Sequence, residues 1–521
     1  MFDWLWLIPA LPLLSVLLIA VPYIGGWNRG ERGERYTARV AVWSASMALL
    51  CLLVLDVQAL FGGSAPGYIR FARWFSSGSL DIELGFMLDT LGLVMATLVA
   101  FLSTMTLRFS VNYLHREAGF QRFFMILSLY MAAMLIIMMA GSALLAFVGW
   151  ELAGVSSYLL IAYAYTRHTS TTNATRVFIT NRIGDVGFVT AIVLVFLWSD
   201  GLNWQEIIEN APQLDSIYTG LIAASFMLAA MVKSAQVPFA PWIGRALEGP
   251  TPSSTIYYGA LTIHAGVYLL LRLQPLYEAV PGIMLALIVI GVLTMLYGFF
   301  GQLVQTDAKS ILIFSTTTQV GLMFFFCGMG WFTLALWYLC AHAIWRVYQF
   351  LNAPAMMHLM GRPARPVPAL FKRWRWLFIA SLQRFWLEGL GDWIFVKPTV
   401  SLARDIRYFD RQVVNRMVGL QGTAGSVSSL AQWEEYQLDK TGRVVGDTGD
   451  VGRGRGMLGR TMEWFASLLY WFEEHLVLSG GDNRIKNMFQ RTGNVLIRID
   501  ELLSQPRYLL LWIMLTLVVI L

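Results

Sequence analysis

The chain has 521 residues, of which 57% are hydrophobic and only 13% are charged. Soluble domains carry about 25% charged residues, so most of this surface faces something other than water, which excludes a soluble enzyme. The net charge of +6 is small, and the basic residues lie in short loops between apolar runs. That distribution is typical of membrane orientation and not of nucleic-acid binding, so we expect no nucleic-acid partner.

Apolar runs of about 20 residues predict an all-α, polytopic bundle of about a dozen transmembrane helices. The first run lacks a basic n-region and a cleavage site, so we expect a retained helix and not a signal peptide. The predicted helices lie near 4–24, 39–61, 86–107, 123–140, 142–164, 177–198, 218–247, 254–272, 282–303, 310–329 and 331–360.

Basic residues mark alternate loops between these helices. Arg108 and Arg116 lie in one such loop and Arg167 in the next but one, whereas the loop at 200–216 is acidic. By the positive-inside rule, we expect a multi-pass protein of the bacterial inner (plasma) membrane with its N-terminus outside.

The pattern changes after Met360 and suggests a division into segments. The segment 361–375 combines three prolines with five basic residues, which stops a helix and favours the membrane surface. The glycine-rich stretch 442–459 is better explained as a flexible loop than as a phosphate site, because no strand precedes it. The expected segments are N-terminal helices at 1–84, a core at 85–360, an interfacial linker at 361–459, amphipathic interfacial helices at 460–505 and a C-terminal anchor helix at 506–521.

Few charged residues lie inside predicted membrane helices, where a charge is expensive and marks a functional position by default. Glu151 lies in FVGWELAGVSSYLLI and Lys233 in FMLAAMVKSAQVPFAPWIG. We expect Pro238 and Pro241 to break the second helix and free backbone carbonyls. A carboxylate and an amine in a low dielectric can exchange protons, which predicts a proton relay; the alternative is an ion pair that only fixes helix contacts.

Further polar groups follow on neighbouring helices. They are Asp185, Tyr258, His264, Asp307, Lys309, His342 and Arg346. A lone histidine on an apolar helix is usually a satisfied packing residue. Here two of them line up with lysines on successive helices, so a hydrated polar axis explains them as well as a packing role does. Arg346 cannot release its proton, so we expect it to bias the local field and not to relay protons.

Four motifs carry a resemblance to a known family. FVGWELAGVSSYLLI, KSAQVPFAPWIGRALEGPTPSS, HAGVYLLLR and TDAKSILIFSTTTQVG resemble the antiporter-like subunits of respiratory complex I, specifically the L-type subunit. The module is also similar to the large Mrp sodium/proton antiporter subunit and to the membrane subunit of DAB inorganic-carbon accumulation complexes. The resemblance is strong over residues 85–360 and weak over 384–417. It implies that Glu151 and Lys233 form the family's glutamate–lysine pair and that the helix broken at Pro238 is one of its paired discontinuous helices.

The sequence also departs from that family. Tyr258 stands where the eighth helix usually carries a titratable His or Lys, and Arg346 stands where the family has a lysine. The second inverted repeat, with its exit-side Lys or Glu, is missing, since residue 375 leads almost directly to the segment before the lateral helix. These departures argue against a complete redox-driven pump with two half-channels.

Three functions therefore stay open. In the favoured one, inward proton flow energises a cytoplasmic partner, which the DAB resemblance implies to be a zinc-dependent protein related to carbonic anhydrase that converts CO2 to bicarbonate. In the second, the chain is a subunit of an NADH:quinone oxidoreductase or an Mrp-like antiporter. In the third, it is a structural anchor. We expect membrane lipid and other membrane subunits as partners, and, since no nucleotide, flavin or metal motif occurs, no cofactor and no catalytic redox or hydrolytic site in this chain.

Overall fold

The structure, a computed structural model, describes residues 4–353, 371, 373–409, 464–465 and 467–468, with gaps at 29, 63–64, 66, 78–79 and 200. The chain divides into two units, Met1–Asp392 and Trp393–Leu521. The described part of the second unit contains most of the π-helical turn Asp392–Val396, the helix α18 (Lys397–Phe409) and four helical residues at 464–465 and 467–468.

The first unit is a bundle of long apolar helices. They are α1 (Leu7–Ile24), α2 (Gly30–Gly62), α3 (Thr90–Tyr113), α4 (Phe120–Met139), α5 (Ala143–Ile161), α6 (His168–Trp198), α8 (Ser216–Lys233), α11 (Thr262–Arg272), α13 (Pro281–Leu303), α14 (Ala308–Gly328) and α15 (Phe332–Leu351). Short helices connect or follow them: α7 (Trp204–Asn210), α9 (Trp242–Arg245), α10 (Thr251–Ser254), α12 (Gln274–Glu278), α16 (Arg375–Leu382) and α17 (Leu387–Gly391).

Ten helices among the described residues are long and apolar enough to cross a membrane. The predicted fold class, an all-α polytopic helix bundle, is therefore confirmed, and the chain is a multi-pass membrane protein. The amphipathic helices expected at 460–505, except for residues 464–465 and 467–468, and the anchor expected at 506–521 lie outside the described residues.

A β-hairpin between α2 and α3 was not predicted. Strands β1 (Gly67–Ser77) and β2 (Leu80–Leu88) pair antiparallel, with Gly67 opposite Leu88. The expected helix from residue 86 begins only at Thr90, where Asp89 caps it by accepting the N–H of Gly92 at 2.9 Å. The apolar end of β2 runs directly into the apolar start of α3, so a search for long apolar runs merges the two elements.

Burial and hydropathy run in opposite directions in two spans of the bundle. Every residue of Thr251–Arg272 is buried, although this is the least apolar of the ten spans. α13, the most apolar span, turns most of its residues outward. Apolar residues outside and polar residues inside is the arrangement that a hydrocarbon solvent favours.

The buried span Thr251–Arg272 is not one regular helix. It starts as α10, continues through a π-helical turn at Thr255–Ala260, and resumes as α11 at Thr262. A π-turn shifts the backbone register, and such turns in membrane helices are tolerated where protein surrounds the freed backbone groups.

An ion pair between the buried Arg272 and the partly exposed Asp89 fixes the far end of this span. Arg272 donates from Nη1 to Oδ2 of Asp89 at 2.6 Å and from Nη2 to Oδ1 at 2.9 Å. Because Asp89 also caps α3, this bidentate contact ties the end of α11 to the start of α3.

Candidate functional site

Glu151 forms an ion pair with Arg182, a residue that was not predicted to belong to the site. Nη1 of Arg182 on α6 donates to Oε2 of Glu151 on α5 in a short contact. The side chains are 26% exposed for Glu151 and 34% exposed for Arg182. Among the described residues the direct ion-pair partner of Glu151 is therefore Arg182, whereas the resemblance pairs Glu151 with Lys233 as two members of one proton path.

Asp185 and Lys233 lie deeper, and both form a hydrogen bond with Trp150. The indole N–H of Trp150 donates to Oδ1 of Asp185 at 3.0 Å, and Nζ of Lys233 donates to the backbone carbonyl of Trp150 at 3.1 Å. Nε of Arg182 is 2.9 Å from Oδ2 of Asp185, close enough for an ion pair although its N–H is not aligned for a hydrogen bond. We call Glu151, Arg182, Asp185 and Lys233 the lysine cluster.

Gly154 keeps the space between the two cations of the lysine cluster open. A Cβ at this position would lie 3.1 Å from Nη2 of Arg182 and 3.7 Å from Nζ of Lys233. Nearby is a cavity of about 10 Å³, whose lining includes Lys233, Ser157 and Thr262. That volume holds about one water molecule.

The break in the chain after α8 leaves Lys233 at a helix end. The helix ends at Lys233, before Pro238 and Pro241, and Ala235 turns the chain with a φ of 49°. The carbonyl of Val232 accepts the indole N–H of Trp242 at 2.9 Å. The carboxyl end of a helix carries a negative partial charge, which stabilises a protonated lysine there.

A second polar group lies on α11 and α15. Nε2 of His264 is 2.9 Å from Nδ1 of His342, and Nε of Arg346 donates to Nε2 of His342 at 3.0 Å. On the other side, Nδ1 of His264 bonds to the carbonyl of Ala260, the last residue of the π-turn. We call His264 and His342 the histidine pair. Arg346 also donates to Ser315 and Gln349.

These partners determine where the hydrogens of the histidine pair lie. A guanidinium only donates, so Nε2 of His342 accepts, and the hydrogen of that ring is on Nδ1. His264 therefore accepts at Nε2 and donates from Nδ1 to the carbonyl of Ala260. Both rings are neutral, and every N–H points from Arg346 toward Ala260.

The remaining predicted site residues have local partners. Tyr258, in the π-turn, bonds through its hydroxyl to Ser157 at 2.8 Å, and Ser157 in turn lines the cavity beside Lys233. Asp307 caps α14 by accepting the N–H of Ser310 at 2.8 Å. Lys309 donates to Thr251 at 2.6 Å. The hydrogen bonds of Asp307 and Lys309 therefore go to residues outside both the lysine cluster and the histidine pair.

Two family models match the chain. The model described as "NADH:quinone oxidoreductase/Mrp antiporter, TM" matches residues 140–366, and that described as "NADH-Ubiquinone oxidoreductase (complex I), chain 5 N-terminus" matches 74–124. Together they cover more than half of the chain. The chain belongs to this family of antiporter-like membrane subunits. The first match contains every residue of the lysine cluster and of the histidine pair.

Curated relatives of this antiporter-like family agree. The chain is 32% identical over 366 residues to the chloroplast NAD(P)H-quinone oxidoreductase subunit 5 of Nymphaea alba. The aligned region covers 69% of this chain and 49% of the relative. It is 31% identical over 360 residues to the NADH-quinone oxidoreductase subunit L of Mycobacterium tuberculosis, covering 69% and 56%. The chain thus spans about half the length of the curated relatives it matches.

Solved structures share the fold. The Mrp complex from Dietzia sp. DQ12-45-1b aligns with a TM-score of 0.59 at 20% identity, covering 99% of this chain and 61% of the other. The archaeal membrane-bound sulfane sulfur reductase aligns with a TM-score of 0.56 at 19% identity, covering 66% and 55%.

Arg182 and Trp150 are the site residues that sequence reasoning missed. Arg182 was visible as a basic residue within an apolar run, at the position three before Asp185, where the two side chains share a helix face. The role of Trp150 had no such signal, because an aromatic residue beside Glu151 on a membrane helix is ordinary.

Proposed function

We propose that the chain is a proton-translocating membrane subunit of a multi-subunit complex. The observation that carries this proposal is the lysine cluster, in which two carboxylates, one arginine and one lysine meet among membrane helices, with Lys233 only 2% exposed. When all four groups are ionised, their charges cancel. A cluster without net charge can be accommodated in a membrane, and the addition of one proton gives it a net positive charge.

The chemistry of the four groups decides which of them can exchange protons. Arg182 keeps its proton at any accessible pH, so it neutralises one carboxylate permanently. The proton that moves is then shared between Lys233 and the carboxylates of Glu151 and Asp185. Oε1 of Glu151 is buried and has no hydrogen-bond partner among the described residues, so it is a site where a proton or a water molecule from outside would bind.

Onward transfer from Lys233 is supported by the neighbouring hydroxyls. The one-water cavity adjoins both Lys233 and Ser157, and Ser157 bonds to Tyr258. A water molecule in that cavity would connect the amine to the hydroxyl pair, and hydroxyls can donate and accept at once.

The histidine pair would receive the proton only after a change in its hydrogen bonds. In the observed arrangement one end of this row of hydrogen bonds is the carbonyl of Ala260, which cannot take up a proton. The other end is Arg346, which cannot give one up. Transfer through the pair therefore requires the bond to Ala260 or the bond to Arg346 to open first. This gives the subunit a resting state in which protons do not leak.

For location, we propose the bacterial inner membrane with the N-terminus outside. Cysteines introduced at exposed Glu117 and at exposed Gln205 test this orientation, because the two loops are expected on opposite faces. In a background without the native cysteines, a membrane-impermeant thiol reagent added to intact cells should label the Gln205→Cys variant and not the Glu117→Cys variant. The reverse labelling would invert the assignment.

For the complex served, we propose inward flow that supplies energy to a cytoplasmic zinc-dependent partner that converts CO2 to bicarbonate. Arg346 supports this direction, because a fixed charge is tolerated in a downhill path. Each proton that crosses about 100 mV releases about 2.3 kcal/mol. The names of the curated relatives favour the alternative, a pump in a quinone-reducing complex, and the Mrp likeness supports the fold alone.

An uncoupler distinguishes inward proton flow to a zinc-dependent partner from a redox-driven pump. Added to intact cells, it should stop bicarbonate accumulation if the flow is inward, and a zinc protein should co-purify with the chain in mild detergent. In a redox-driven complex the uncoupler should instead accelerate donor oxidation by removing back-pressure, and flavin or Fe–S subunits should co-purify. Donor oxidation that requires this chain would overturn the inward-flow proposal.

A further inference from the structure

A larger cavity, of about 510 Å³, opens between the start of α2 and the end of α3, far along the chain from the lysine cluster. Its lining combines basic, acidic and apolar side chains. The residues that line it are Glu31, Glu34, Arg35, Ala38, Arg39, Val42, Trp43, Arg108, Val111, His115 and Phe120. We call it the arginine cavity.

The acidic residues of the arginine cavity already have partners. Glu31 pairs with Arg116 at 2.9 Å, and Glu34 pairs with Nδ1 of His115 at 2.9 Å. Among the described residues, neither carboxylate has a direct ion pair with the other basic residues of the lining.

Three arginines therefore supply the free positive charge of the cavity. Among the described residues, Arg35, Arg39 and Arg108 have no ion pair and no hydrogen bond, and all three are exposed. Guanidinium groups bind phosphate oxygens in pairs, so uncompensated arginines around one cavity suit a phosphate group.

The cavity changes from basic to apolar along α2. Arg35, Arg39 and Trp43 are spaced four residues apart and therefore lie on one face of the helix. Trp43 is 68% exposed, on a helix that turns most of its surface outward. Val42, the residue before it on α2, also lines the cavity. A ligand that fills the cavity would contact cations at one end and apolar side chains at the other.

We propose that the arginine cavity binds an anionic glycerophospholipid, with its phosphate on Arg35, Arg39 and Arg108 and its acyl chains along Val42 and Trp43. Free phosphate would use the arginines but not the apolar wall. A zwitterionic lipid would bring its own cation into a site that already has an excess of positive charge. Both features favour a lipid whose net charge is negative.

The test uses the full chain, with whatever subunits co-purify, in detergent containing equal amounts of phosphatidylglycerol and phosphatidylcholine. Native mass spectrometry counts the lipids that the protein retains. We expect preferential retention of one phosphatidylglycerol, and loss of that preference by about tenfold or more in the double variant Arg39→Gln/Arg108→Gln. The charge-matched control is Arg32→Gln/Arg404→Gln, which removes two exposed arginines outside the lining and should keep the preference.

A third variant and a soluble probe make the test decisive. Trp43→Ala keeps all charges, and we expect it to weaken phosphatidylglycerol retention. Inorganic phosphate at equal concentration should not raise the thermal unfolding temperature as phosphatidylglycerol does. If the Arg39→Gln/Arg108→Gln protein does not fold, Arg39→Lys/Arg108→Lys should fold and show reduced preference. Equal retention of both lipids, unchanged preference in the double variant, equal protection by inorganic phosphate, or occupation of the cavity by a co-purified subunit would each overturn the proposal.

Discussion

The ammonium of Lys233 lies over the indole ring of Trp150, 4.8 Å from its centroid, and bonds to the backbone carbonyl of that residue at 3.1 Å. The same indole donates its N–H to Asp185. One aromatic side chain therefore positions both the amine and a carboxylate of the lysine cluster, without a direct ion pair between them among the described residues.

Trp150→Phe tests that positioning. Phenylalanine keeps an aromatic face for the ammonium and leaves the backbone carbonyl in place, but it removes the donor to Asp185. We expect the free energy of unfolding to fall by about 1–3 kcal/mol, the usual effect of leaving a buried acceptor unpaired. Proton flux in proteoliposomes should fall as well, because Asp185 becomes free to turn toward Lys233. An unchanged flux in the variant would argue that Asp185 needs no such support.

Glu151→Gln tests the outer carboxylate. The amide keeps the shape of the side chain but cannot carry a proton, and it leaves Arg182 without a counter-charge at that contact. We expect membrane insertion to be retained and proton flux to fall at least about a hundredfold, the lower end of the usual effect of removing an acid–base group. Glu209→Gln, at an exposed position on α7, is the matched control and should have wild-type flux. Normal flux in the Glu151 variant would remove this residue from the path.

Gly154→Ala tests the open space between the cations. The added Cβ would be tight only against the end of the Arg182 side chain, at 3.1 Å, and in ordinary contact with Nζ of Lys233, at 3.7 Å, so we expect the protein to fold and the flux to fall. Gly266→Ala should instead fail to fold, because its Cβ would lie 2.3 Å from the carbonyl oxygen of Ala230. Gly282→Ala, with nothing within 4 Å, should be silent. Size-exclusion profiles and flux measured side by side decide the outcome, and a fully active Gly154 variant would show that the space is not needed.

Arg346→Gln tests the resting state of the histidine pair. Glutamine can still donate a hydrogen bond to His342, but it removes the fixed cation that repels a proton on the two rings. We expect passive proton leak through proteoliposomes to rise. The leak of the Arg346→Lys variant should lie between that of the wild type and that of the Arg346→Gln variant, because a lysine can give up its proton. A leak that stays at the wild-type level in both variants would show that the arginine does not hold the pair closed.

The sequence predicted the fold class and most of the polar residues, for a simple physical reason. A charged or titratable side chain in an apolar run is conspicuous, and Glu151, Lys233, His264 and His342 stood out in this way. The hairpin before α3 was missed because its second strand is as apolar as the helix that follows it.

Relations between residues could not be read from the sequence. The partner of Glu151 depends on how α5 faces α6, and the single direction of the N–H groups in the histidine pair depends on a carbonyl at the end of a π-turn. The helix end at Lys233 also differs from the expected break at Pro238, because the chain turns earlier, at Ala235. Tertiary contacts set all three features, and local sequence patterns carry no direct signal for them.

The most direct test of the central claim, that Lys233 exchanges a proton with its cluster, is the flux of the Lys233→Arg variant. The chain, with its co-purified subunits, is reconstituted in proteoliposomes, and acidification of the lumen is followed with a pH-sensitive dye under an imposed potassium-diffusion potential. Arginine keeps the positive charge and can reach the same carbonyl, but it cannot release a proton. We predict a folded, membrane-inserted protein whose flux is reduced to the level of protein-free vesicles, and flux equal to the wild type would contradict the account.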